Sequence, residues 1–331
     1  MRAWTFGALA LGAALAGGAL AAPPAFEEAD LTAKPSGASV ESVIPGHLRG
    51  QNISAQVTMR CTIDAAGKAR RCETLKEEPY GLGVGGAGTR LMERQGRFKP
   101  RRIDGQAVDG GQVEFTLQMW SRGLGPTLII DQVWARTPSF EEMAAAWPAD
   151  RQEETAIVVL RCAMRRSGDL GQCTPLNEAD KAMAKAAQGL SERFQVRLPP
   201  GKAPRGRRAD LIVSIQLINP ANAGAAERLV KVPDWTVYPD TRAVQAVYPD
   251  QAAGAGVRAG RGVADCLVAA DGTLTDCRMT GERPDGLGFG EAALRVAGQM
   301  KMNLWSGDGR PTTGARIRLP IEFNLAEEPV Q

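Results

Sequence analysis

Histidine is all but missing from this chain: His47 stands alone among 331 residues. Any Ser-His-Asp or Cys-His arrangement would have to be built on that one side chain. It lies in a turn just after Pro45 and reads as a solvated loop residue. No sign of charge dominates, because the formal net charge is only +3. That is too small to make nucleic acid or an anionic membrane the main partner. Long apolar runs are missing beyond the N-terminus, so nothing later in the chain reads as a membrane span. The closely spaced Cys and His pairs that hold zinc are missing as well. These absences leave no expected catalytic residue, metal or cofactor, in a length that suits two or three ordinary domains. The chain is expected not to be an enzyme.

What is present is six cysteines in three pairs of one spacing: Cys61 and Cys72, Cys162 and Cys173, Cys266 and Cys277. The last pair brackets Asp271-Gly272 at its midpoint, and an Asp-Gly pair between apolar runs is a strong hairpin signal. Ala66-Gly67 and Ser167-Gly168 hold the same place in the other pairs. A two-residue type I′ turn would set the cysteines face to face. A three-residue turn with a bulge would leave them diagonal by one step, still near bridging range. Either way each pair is expected to form a disulfide within its hairpin, which fits an oxidising compartment. Residues 1–21 fit that compartment too: Arg2, an Ala/Leu/Gly core and Ala19-Leu20-Ala21 read as a secretory signal peptide cut after Ala21. An uncleaved inner-membrane anchor is the alternative.

The cysteine pairs recur 101 and then 104 residues apart, and a second signature recurs upstream of them. Trp134 is followed by Pro138 and Pro148, Trp235 by Pro239 and Pro249, and Leu31 by Pro35 and Pro45, all at one spacing. Ser36, Ser139 and Asp240 follow the first proline as helix N-caps, and Ser139 with Glu142 forms a capping box. Alternating strands follow, with Val57, Met59, Cys61 and Ile63 inward in one copy and Val158, Leu160, Cys162 and Met164 in the next. A longer helix comes after each hairpin, through Thr89–Gln95, through Met183–Phe194 and through Glu291–Met300. Alternating segments Val113–Leu117, Leu211–Ile215 and Ile317–Phe323 close the copies. The expected fold class is α+β: three tandem modules, each helix-strand-strand-helix-strand with a small antiparallel sheet.

Two other motifs carry less. Gly83-Val84-Gly85-Gly86-Ala87-Gly88 has the dinucleotide GxGxxG pattern, but the strand before it belongs to a hairpin rather than to a parallel crossover unit. The basic groups Arg94, Arg97, Lys99, Arg101, Arg102 and Lys202, Arg205, Arg207, Arg208 read first as exposed helix ends and loops, with contact to an anionic polymer or lipid headgroup as the functional reading.

Tyr248-Pro249, the Gly260–Gly262 stretch, Asp271-Gly272, Ala292-Ala293-Leu294 and the final Ile317-x-Leu319-Pro320-Ile321-x-Phe323 together resemble the TonB C-terminal domain family. Phe98-Lys99-Pro100 before Asp104-Gly105 is similar to a further segment of that family; the middle copy is the most degenerate. After the signal peptide over 1–21, the resemblance divides the chain into TonB-like modules over 22–122, 123–223 (degenerate) and 224–331. It implies a periplasmic protein that pairs a sheet edge with short segments of TonB-dependent outer-membrane receptors or other envelope proteins. The matching partner-binding residues are Tyr248, Pro249, Arg316, Ile317, Arg318, Leu319, Ile321 and Phe323. A full energy transducer also carries a polar-faced membrane helix and a long Pro/Lys/Glu-rich spacer, and neither is visible here. The alternative is a structural envelope protein that binds peptidoglycan or itself.

Overall fold

The computed structural model describes residues 26–123, 128–129, 132–198, 210–222 and 228–325. The expected signal peptide and the basic group Lys202, Arg205, Arg207 and Arg208 lie outside the described residues. Three hairpins form where the alternation placed them. Ile53–Ile63 pairs with Ala69–Glu78, Thr155–Met164 with Leu170–Pro175, and Ala259–Val268 with Leu274–Arg283. Gly111–Ser121, Asp210–Ile218 and Arg316–Asn324 then close the sheets, each antiparallel to the first hairpin strand, which is thereby central. These are the first, second and third units. The second sheet departs from a purely antiparallel pattern, because Leu128–Ile129 adds a short strand parallel to the closing one.

The turns have three residues, not two. Asp64 N–H donates to the Lys68 carbonyl at 3.0 Å and Gly67 N–H to the Asp64 carbonyl at 2.9 Å, and the other two turns repeat both bonds. Gly67, Gly168 and Gly272 take the left-handed conformation, with φ of 74°, 88° and 90°, whereas Asp271 is not left-handed as a type I′ turn would require. Such a turn alone would leave the cysteines diagonal. A second irregularity restores the facing: Arg71, Gln172 and Asp276, each just before the second cysteine, adopt φ of 48°, 50° and 44°, at or beside a shift in hairpin register. The sulfurs therefore join, with Cα–Cα distances of 4.1, 4.0 and 4.1 Å, as Cys61–Cys72, Cys162–Cys173 and Cys266–Cys277.

The upstream signatures serve to anchor these turns. Asp30–Ala33 pairs with Arg97–Lys99, Trp134–Arg136 with Gln195–Val196, and Trp235–Val237 with Lys301–Met302. Each second partner is docked on a turn glycine: Phe98, Val196 and Met302 donate to the carbonyls of Gly67, Gly168 and Gly272 at 3.0, 2.9 and 2.8 Å. Short helices Gly37–Ser42, Phe140–Ala145 and Thr241–Gln245 follow, capped by Ser36, Ser139 and Asp240, with the Ser139–Glu142 box formed. The long helices are Val84–Gln95, Lys181–Ser191 and Phe289–Ala297. Phe194, expected on the second of these, lies just beyond its end, between Trp134 and Trp305 at 4.8 and 4.7 Å. The glycine-rich run opens the first helix, and its amides are occupied. Glu77 accepts from Gly83 and Gly85 at 2.7 and 2.9 Å, as Glu282 accepts from Gly286 and Gly290 at 2.6 and 2.7 Å. A carboxylate fills the place a phosphate would take at these helix N-termini.

The units share their cores. Val158, Leu160 and Cys162 face the second unit's own helix, but Val159 and Ile212, on the opposite face, are buried in the first unit's cluster beside Val57, Leu82 and Leu117. The middle sheet is thus covered on both faces, which explains why Ala156–Leu160 and Leu211–Val213 read as nearly unbroken apolar runs. From the third unit, Leu304 and Trp305 enter the second unit's core. Asn303 locks this junction: its Oδ1 accepts from Trp134 N–H at 2.9 Å, and its Nδ2 donates to Gln132 O at 2.9 Å and Asp234 Oδ2 at 2.8 Å.

Candidate partner-binding edge

In an antiparallel ladder every second residue turns both its N–H and its C=O away from its partner. On the third closing strand, Ala315 O accepts from Val268 N–H of the central strand, while Arg316 O accepts from Val230 N–H on the other side. The outward set is therefore Arg316, Arg318, Pro320, Glu322 and Asn324. Beyond the short parallel bridge of Leu229 with Arg316, which includes the Val230 bond, no described residue bonds their backbone groups. Pro320 brings no N–H to this edge.

The side chains of the expected site divide by the pleat. Ile317, Leu319 and Phe323 are buried in the third core, with Ile321 half-buried against it. Those four hold the sheet to the helix and leave a partner only their strand's backbone. Tyr248 joins them: its ring packs at 90° on Phe289, 5.5 Å away, and Phe289 stands 5.8 Å from Phe323. The Tyr248 hydroxyl donates to Val257 O at 2.9 Å, and burial pushes its pKa above the usual value. Pro249 is buried as the N-cap of Asp250–Gly254. Gly260 and Gly262 make room for this stack, since a Cβ there would stand 2.2 Å from the Phe289 ring and 2.0 Å from Phe289 O.

On the solvent face, Arg316 is committed within the sheet. It bonds Asp276 at 3.1 Å and also Asp265, and these carboxylates raise its pKa further. Arg318 and Glu322 are exposed, Glu322 pairing with Arg261 at 3.4 Å. The structure thus brings the Tyr-Pro corner and the last strand together through Phe289, as one packed wall behind an edge. A groove of about 370 Å³ adjoins Pro249 on the hairpin side, lined by Asp250, Met279, Glu282, Glu291 and Arg295.

Sequence reasoning did not anticipate how the three edges differ. Aligned on Cys61–Val113, Cys162–Leu211 and Cys266–Ile317, the positions Thr116, Ser214 and Pro320 are equivalent. In the second unit the outward groups are taken. Ile212 O accepts from Gln132 Nε2 at 3.1 Å, Ser214 O from Trp305 Nε1 at 2.9 Å, and Gln216 N–H donates to Gly309 O at 2.8 Å. The signal was the pair Leu304-Trp305 in the otherwise mostly polar, two-glycine stretch Asn303–Thr312, whose residues are buried except the half-buried Gly307.

Residues 244–325 match the family described as the C-terminal domain of Gram-negative bacterial TonB protein. That is a family of energy-transducing and binding domains, not of enzymes. The matched residues contain the Tyr248-Pro249 corner, the third hairpin and its closing strand. A 63-residue stretch is 36% identical to an uncharacterized protein of Caulobacter vibrioides, which covers 19% of this chain and 63% of that protein. No solved structure matches the chain. Among the described residues, no helix is long and apolar enough to cross a membrane.

Proposed function

We propose that this is a periplasmic TonB-like protein, built from three tandem modules over 22–122, 123–223 and 224–331, that binds segments of outer-membrane receptors or other envelope proteins by strand addition. The observation that carries the reading is the third closing strand. Arg316–Asn324 lies at a sheet edge, its outward groups at Arg318, Glu322 and Asn324 have no described partner, and it falls inside the family match. An extended peptide can complete such an edge with main-chain hydrogen bonds. Tyr248, Phe289 and Phe323 hold the strand in place from behind rather than touching the partner.

The test uses the full mature chain and solubilised outer membrane. Arg318→Pro deletes an outward N–H without touching the bond pairs to Ala259–Val268. Capture of TonB-dependent receptors by the native chain, lost in this variant, supports the reading. Equal capture by both excludes the third edge. Retention on purified peptidoglycan, with no receptor captured, transfers the protein to a structural envelope role.

A further inference from the structure

We infer that Met279 is the oxidation site of this chain: its thioether takes one oxygen from a peroxide, and the sulfoxide loosens the N-terminus of the helix Phe289–Ala297. This goes beyond the reading above and does not rest on it. The distribution of sulfur selects the residue. All six cysteines are held in disulfides, and no described cysteine is free. Of the ten methionines, Met1 lies outside the described residues, seven are buried and Met164 is half-buried. The remaining one, Met279, is 49% exposed. It lines the groove of about 370 Å³ beside Pro249, which is wide enough for a peroxide to reach the sulfur.

The place of that sulfur gives its oxidation a consequence. Gly290 is the second residue of the helix, where an N–H has no intrahelical partner, and Glu282 accepts from it at 2.7 Å. The Met279 side chain packs so closely here that a Cβ on Gly290 would overlap the sulfur, with Glu282 Oε2 3.4 Å from the same point. In the oxidation a sulfur lone pair attacks one oxygen of hydrogen peroxide. The S–O bond forms as the O–O bond breaks, and the hydroxide that leaves takes the remaining proton to become water. Sulfur gives up two electrons, and a flexible apolar side chain becomes a polar, chiral one. Its oxygen accepts and cannot donate, so it repels the Glu282 carboxylate and competes with it for Gly290 N–H. Phe289, on which Tyr248 packs, is the adjoining residue, so the loosening is felt at the Tyr-Pro corner. The first unit shows that an oxygen fits in this place. Its register makes Thr74 equivalent to Met279, and Gly85 equivalent to Gly290. A Cβ on Gly85 would stand 2.9 Å from Thr74 Oγ1 and 2.7 Å from Glu77 Oε2. A hydroxyl there can donate to a neighbouring carboxylate, whereas a sulfoxide has no proton to give.

The experiment treats the full mature chain with hydrogen peroxide and follows oxygen uptake at each methionine by peptide mass spectrometry. Met279 is expected to gain one oxygen at least tenfold faster than any other. Hydrogen exchange of the oxidised chain then shows the Gly286 and Gly290 amides, both bonded to Glu282 in the native fold, exchanging at least tenfold faster. The Gly83 and Gly85 amides of the first unit keep their protection. A mixture of the two methionine sulfoxide reductases, which together reduce both sulfoxide epimers, restores slow exchange. Met279→Leu keeps an apolar side chain and loses both responses; Met279→Thr, which copies the first unit, loses them too. Comparable oxygen uptake at the buried methionines overturns the inference, because burial then does not select the site. A sulfoxide at Met279 that leaves Gly290 as protected as before overturns it as well. So does peroxide-induced loosening that persists in Met279→Leu.

Discussion

Each turn glycine answers two demands, conformation and space. Gly67, Gly168 and Gly272 all have positive φ, and a Cβ on them would stand 2.3, 2.4 and 2.1 Å from the carbonyl oxygens of Phe98, Val196 and Met302. Gly272→Ala therefore combines left-handed strain of about 1–3 kcal/mol with a backbone clash. A loss of at least that size is expected from denaturant unfolding of the full chain, with lost protection of the Met302 amide. Beside it, Asp271 takes hydrogen bonds from the Thr273 hydroxyl at 2.6 Å and the Thr273 N–H at 3.0 Å, with Lys301 at 3.3 Å. Those bonds, the Thr273 hydroxyl first, hold its pKa at about 2, below the ordinary 3.8. A depressed carboxylate stabilises the fold above its unfolded pKa and loses that contribution as pH falls toward 2. An NMR titration should place the Asp271 carboxyl midpoint near 2, and Thr273→Val should move it up toward the ordinary value.

The hairpins are the elements whose stability the cysteines control. Each disulfide closes an 11-residue separation, for which chain entropy gives roughly 3 kcal/mol at most, and less where the turn already restrains the unfolded loop. Replacing Cys266 and Cys277 by Ala is expected to lower thermal stability while leaving the three-residue turn in place, visible as unchanged protection of Gly272 N–H. Much of this element was legible in advance: the strand faces, the cysteine pairing, the N-caps at Ser36, Ser139 and Asp240, and the closing strands. The bulges at Arg71, Gln172 and Asp276 were not, because a left-handed Arg or Gln leaves no mark in composition; the ladder forces it there. The side chains of the expected site were read as contacts when alternation already placed Ile317, Leu319 and Phe323 inward. Strand addition works through the backbone, so side-chain identity was a poor guide to which edge is open. The better guide was proline: its presence at 320 and absence at 116 distinguish two edges of the same fold.

The middle unit explains how three small sheets become one molecule. Both its sheet faces and its closing edge are spent on neighbours. Ile157 and Val159 pack on the first unit, where a Cβ on Gly81 would stand 2.4 Å from the Ile157 side chain, and Arg161 reaches Gln51 at 2.9 Å. On the other side the third unit commits a buried ion pair, Asp308–Arg310 at 2.9 Å, to shaping the loop that carries Trp305. Ser306 completes that loop, donating to Asp308 at 2.6 Å and accepting from Arg310 N–H at 3.0 Å. A buried pair of this kind adds little net stability but fixes a geometry, here the one that aims the indole N–H at Ser214 O. Trp305→Ala removes a large side chain 5% exposed in the folded chain, strips Phe194 of an edge-on ring and leaves Ser214 O unbonded. The expected cost is about 3–5 kcal/mol, or roughly 10 °C in a transition of this size. Because the residue belongs to one unit and the cavity to another, calorimetry should show the second and third units losing stability together. Independent units would instead show two transitions, of which only one moves. Trp305→Phe keeps the packing but not the donor, and should recover most of the midpoint while the Gln216 amide, next along the same edge, stays less protected than in the native chain. Joint recovery of both would mean that packing alone seals the middle edge and that the indole hydrogen bond is incidental to it.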